Sequence, residues 1–185
     1  MYKKFKIGNF FIRLVIFLGF IFITPFLLDY LFPKNTDNIY IHGVVKEHFD
    51  DQLISRVKIT VFGDGEKTHA QKTDLKGRYK FVLDFGKFYR IEYAKQNYVT
   101  KLLTIDAANI PEEDQLGGFE MNIDMTLFEN MEGFDFSILE YPIGKAEFDH
   151  KKGELIWDMK YTSKRQAKIS SLMQKYDEKQ KYQED

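Results

Sequence analysis

Between Ile39 and Phe128, apolar side chains recur at every second position in one short run after another. That period belongs to strands with one buried face, and a one-residue slip would turn a strand's apolar set to solvent. Val57, Ile59 and Val61 alternate with Lys58, Thr60 and Phe62. Tyr79, Phe81 and Leu83 alternate with Arg78, Lys80 and Val82, and Tyr89, Ile91 and Tyr93 with Arg90, Glu92 and Ala94. Residues 39–45, 98–105 and 119–128 continue the series. Turn signals separate the runs at Gly63-Asp64-Gly65, at Asp84-Phe85-Gly86-Lys87, at Gln96-Asn97 and along the acidic loop 107–118. About seven short strands with such punctuation predict a mainly β, antiparallel sandwich. Helical spacing does not interrupt them, which excludes a parallel α/β sheet.

The sharpest corner is residues 72–81, KTDLKGRYKF. The Asp74 carboxylate is placed to bond a backbone N–H two residues on, closing an Asx-turn. Gly77 suits a positive φ that a Cβ would resist. Tyr79 and Phe81 then leave on the outgoing strand. Thr73, Asp74, Gly77 and Tyr79 are therefore expected to be a structural turn rather than a catalytic loop. Gly43, inside a strand pattern, marks a bulge or a close approach of backbone.

The order Ile41-x-Gly43-x-Val45, Val57-x-Ile59-x-Val61, Thr73-Asp74-x-x-Gly77-x-Tyr79-x-Phe81 and Tyr89-x-Ile91 resembles the carboxypeptidase regulatory-like domain. The resemblance covers residues 39–127, about half the chain. It implies a transthyretin-like seven-stranded antiparallel sandwich and a non-catalytic accessory module, often found in bacterial envelope proteins. The later segments LEYPIGKAEFD and IWDMKY resemble those of Bacteroidetes envelope proteins, a likeness that names no activity.

Ahead of the alternating region the chain is of another kind. From Leu14 to Leu28 only Gly19, Thr24 and Pro25 interrupt an apolar run, and residues 10–32 are long enough to cross a hydrocarbon core. Lys3, Lys4, Lys6 and Arg13 precede the run and only Lys34 follows closely. The positive-inside bias leaves the N-terminus cytoplasmic and exports the rest. LLDYLFPKN offers no small-residue cleavage pair, which favours an uncleaved signal anchor over a cleaved signal peptide. Residues 1–33 are thus read as basic flank and transmembrane anchor in a bacterial inner membrane, 34–38 as a linker and 39–128 as the periplasmic sandwich.

Residues 129–161 read as a hairpin around His150-Lys151-Lys152-Gly153, or as an extended arm lying on the sandwich. Residues 162–185 read as an amphipathic helix and polar tail, capped by Thr162 or Ser163. Ile169, Leu172, Met173 and Tyr176 form one stripe at helical spacing. It either docks on the protein's own sandwich or binds an envelope protein partner or a second copy.

Little in the chain points to chemistry. With no cysteine there is no disulfide, thiolate zinc site or cysteine nucleophile. His42, His48, His69 and His150 fall in no ligand spacing, and Glu112-Glu113-Asp114 lacks the pattern of a calcium loop. No cofactor is expected. A net charge of −1 supplies no field for nucleic acid. The expected function is a non-enzymatic, membrane-anchored envelope protein displaying a β-sandwich for protein contacts. A carbohydrate- or peptidoglycan-binding module is the other reading, and it requires Tyr40, Phe62 and Tyr98 to be exposed together on one face.

Overall fold

In the computed structural model, residues 38–184 are described. The expected anchor and nearly all of the expected linker lie outside them. In chain order the strands are β1 (Ile39–Glu47), β2 (Lys58–Gly63), β3 (Glu66–Lys72), β4 (Arg78–Leu83), β5 (Phe88–Ala94) and β6 (Lys101–Asp106). A short helix α1 (Glu112–Gln115) precedes β7 (Phe119–Asn122) and β8 (Met125–Leu127). After a 3₁₀ turn at Ser137–Glu140 come β9 (Lys145–Asp149), β10 (Glu154–Trp157) and the long helix α2 (Met159–Glu184). No helix among the described residues is long and apolar enough to cross a membrane.

The strands form two sheets. One holds β4, β1 and β7 in that order, with β8 also paired to β1; the other runs β10-β9-β6-β5-β2-β3. The alternation sorts the faces as its period requires: Ile39, Ile41, Val45, Ile59, Val61, Tyr79, Phe81, Ile91 and Tyr93 are buried between the sheets. The edge strand β3, EKTHAQK, is exposed almost throughout. Its charged residues discourage further strand addition.

Two expectations need correction. The sandwich has ten described strands rather than seven, and it is not wholly antiparallel: β7 and β8 run parallel to β1, and β9 runs parallel to β6. The acidic loop is the reason. It carries the chain from β6 in one sheet to β7 in the other, so β7 arrives beside β1 in the same direction. Of the two readings of residues 129–161, the hairpin is the one the structure shows, over residues 145–157. It joins β9 to β10, with Gly153 at φ 66°, and extends the larger sheet. Finally, α2 begins before Thr162. Asp158 is its cap, accepting the Tyr161 N–H on its carboxylate (2.8 Å) and the Thr162 N–H on its carbonyl (2.9 Å).

Candidate functional site

The corner at residues 73–79 is built of satisfied backbone. Asp74 Oδ1 accepts the N–H groups of Lys76 (2.8 Å) and Arg78 (2.9 Å), and Oδ2 accepts the Arg78 guanidinium (2.8 Å). Those donors, the Arg78 N–H foremost, hold the carboxyl below its ordinary range. Gly77 has φ 67°, and a Cβ there would sit 2.7 Å from the Val45 carbonyl oxygen. The Thr73 hydroxyl donates to the Ile54 carbonyl (2.8 Å) and accepts the Val57 N–H (3.0 Å), tying the corner to the chain before β2. Tyr79 OH donates to the Ile123 carbonyl (2.5 Å) and pairs with Tyr93 OH (2.8 Å). Burial pushes both phenols well above their ordinary value. Thr73, Asp74 and Tyr79 thus spend their polar groups on the protein's own backbone and side chains.

Gly43 shows the same economy of space. A Cβ there would lie 2.1 Å from the Ile123 carbonyl oxygen, because the chain between β7 and β8 crosses directly over it. At that break Asp124 Oδ1 accepts the Val44 N–H (3.1 Å) that the ladder leaves unpaired.

Outside this crossing lies an open depression of about 870 Å³ on the outer face of the smaller sheet. Tyr40, His42, Gln71, Arg78, Lys80 and Glu120 are among the residues that line it. Tyr40 and Val82 face each other across β1 and β4 and are 37% and 51% exposed. Beside them His42 Nε2 meets Glu120 Oε1 at 2.8 Å, and Gln71 donates to the Lys80 carbonyl (2.8 Å). Outward positions bear charges of both signs around one aromatic and one aliphatic side chain. Such a surface suits contact with another molecule.

The three aromatics of the carbohydrate reading do not meet. Tyr40 stands on the smaller sheet, whereas Phe62 lies on the outer face of the larger one under the Arg90 guanidinium (4.5 Å). Tyr98 is half-buried against the core.

The helical stripe faces the chain itself. Tyr176 is 2% exposed and its ring meets those of Phe128, Phe134 and Phe136 at 5.1–5.9 Å. Its hydroxyl donates to the Glu129 carbonyl (2.8 Å). Ile169, Leu172 and Met173 pack partly buried on the same cluster. Arg165 fastens the start of the helix by donating to the carbonyls of Ile138, Tyr141 and Pro142. Of the two readings of the stripe, the structure shows the internal one: these four candidates for a partner contact pack against the chain's own second cluster.

Reasoning from sequence missed Lys101. At the head of an apolar strand it looks like a charge reaching solvent, yet it points inward opposite Tyr93 and is 7% exposed. Its ammonium donates to the Thr126 carbonyl (2.6 Å), joining β6 to β8 across the sandwich. Burial pulls its pKa down to about 8. The described residues contain no cluster of groups that could hold a metal ion.

No family model and no curated protein matches the chain. Among solved structures it is similar in part to 3-chlorocatechol 1,2-dioxygenase of Rhodococcus opacus 1CP, with 13% identity and a TM-score of 0.38 over 52% of this chain and 61% of that one. The dioxygenase domain of a dioxygenase–carbohydrate-binding fusion from Streptomyces sp. SirexAA-E gives 11% and 0.36 over 50% and 80%. The major pilin subunit BcpA of Bacillus cereus gives 16% and 0.37 over 50% and 29%. The chain spans less than two thirds of the Rhodococcus dioxygenase and of the pilin subunit. These partial likenesses are compatible with a β-sandwich and carry no activity over to it.

Proposed function

We propose that the chain is a non-enzymatic interaction module of the bacterial envelope, held at the outer side of the inner membrane by residues 10–32 and presenting its sandwich to a protein partner. The carboxypeptidase regulatory-like character of residues 39–127 belongs to the same proposal. One observation carries it: the concave outer face of the smaller sheet, where Tyr40 and Val82 stand exposed side by side among His42, Lys80 and Glu120. Their mixture of aromatic, aliphatic and charged groups is that of a protein contact surface.

The test is photo-crosslinking in the native cell. A photoreactive amino acid at position 40 or 82 should give an adduct of discrete mass, and one at Thr68 on the edge strand β3 should give none. Absence of adducts from 40 and 82, or the same pattern from all three sites, refutes the reading. Membrane fractions should yield the N-terminal peptide, residues 1–34, in the same preparation; a mature chain starting beyond residue 32 would overturn the anchor.

A further inference from the structure

The two sheets part between β6 and β8, and α2 covers the gap without filling it. A cleft of about 580 Å³ remains, within the size range of small-molecule sites. Leu103, Met125, Ile143, Trp157, Ile169 and Met173 give it an apolar wall. Into it comes Lys101, whose ammonium bonds one carbonyl and lies 4.8 Å from the centre of the Phe128 ring. Among the described residues no carboxylate forms an ion pair with it. The Thr162 hydroxyl, on the helical wall of the same cleft, is buried and has no hydrogen-bond partner. Buried charges are ordinarily paired and buried hydroxyls ordinarily bonded.

A cation that has no ion-pair partner, feeling only the more distant Glu47 carboxylate, and an unused hydroxyl beside a largely apolar wall call for an apolar body bearing one anionic oxygen group. We propose that this cleft binds an aliphatic monocarboxylate, its head at Lys101 and its chain along Trp157 and Met173. A single positive charge matches a single negative one. A polyanionic head is disfavoured, because Asp124 lines the cleft and the His48–Asp177 pair (3.3 Å) stands beside it. The cleft shares only Asp124 with the depression on the outer face of the smaller sheet, and neither Lys101 nor Trp157 lines that depression, so either assignment can fail without the other.

The purified full chain, photolabelled with dodecanoate bearing a terminal diazirine, tests this. The label should map to peptides containing Trp157 or Met173. Unlabelled dodecanoate should compete about tenfold or more better than dodecanol, the margin of one charge-assisted hydrogen bond. Lys101→Met should abolish that preference. Met173→Trp, which narrows the cleft and keeps the cation, should reduce labelling, so the proposal stays testable if Lys101→Met fails to fold. Label confined to other peptides, equal competition by the alcohol, or an unchanged preference in Lys101→Met overturns it.

Discussion

The described residues hold two apolar cores, and they are built by different rules. The one between the sheets takes its residues from strands at every second position, with Ile59, Val61, Tyr89 and Ile91 set by register. The one beneath α2 gathers Phe128, Met131, Leu139 and Tyr176 from a strand end, a loop, a 3₁₀ turn and a helix. In the first, those four side chains stand on strands bonded to a neighbour on both flanks. In the second, the backbone is held largely by its side chains: Tyr176 on the Glu129 carbonyl and Arg165 on the carbonyls of residues 138, 141 and 142. Register makes the first core cooperative. The second can come away by itself.

The strongest way to break that contrast is to cut each core once. Ile91→Ala removes a fully buried side chain from a central strand and should cost about 4 kcal/mol, lowering the protection of the whole sandwich in hydrogen exchange. Tyr176→Ala should cost about 3 kcal/mol, but exchange should rise only in α2 and residues 129–142, leaving β1–β6 protected. Uniform loss in the second variant would show that the cores are one.

Lys101 lies where the two meet, and pH probes it. Its ordinary value is 10.5 and burial holds it at about 8. Below pH 8 folded and unfolded chains are both protonated there, and the burial cost is felt in full. From pH 8 upward the unfolded chain binds more protons, so stability rises toward pH 10 by up to about 3 kcal/mol. Above pH 10 the sign reverses. Tyr176, pushed up to about 12 by burial, and Tyr79 and Tyr93, also raised well above their ordinary value by burial, keep protons that the unfolded chain gives up. Denaturant titrations across this range should show the rise and then the fall, and Lys101→Met should keep only the fall. The smallest expected effect is Asp158→Ala, about 1 kcal/mol from loss of the α2 cap, seen as fraying of its first turn in exchange measurements.

The same contrast explains what could be read in advance. The alternating strands, the Asp74 corner and the hairpin at 150–153 are local patterns, and the structure places each where its spacing predicts. Pairing between distant segments leaves no such mark. Residues 119–127 alternate equally well whether they lie parallel or antiparallel to β1, so the close approach expected at Gly43 could be read from the sequence but not the segment that makes it. Thr162 and Ser163 look like caps as much as Asp158 does, and only the packed helix decides. Nor does the sequence distinguish a lysine reaching water from one reaching the Thr126 carbonyl. The outward pair Tyr40 and Val82 was legible as two positions of the right parity, though not as neighbours.

The position of β1 also has a mechanical side. It is the central strand of its sheet, hydrogen-bonded along its length to β4 on one flank and to β7 and then β8 on the other. A pull applied at Asn38 would act along that strand and shear both ladders at once, where an edge strand would unzip one bond at a time. The first residues to feel tension from the N-terminal side are thus joined to the part of the fold best able to resist it, while α2, gripped by side chains, would yield first to a pull from the other end.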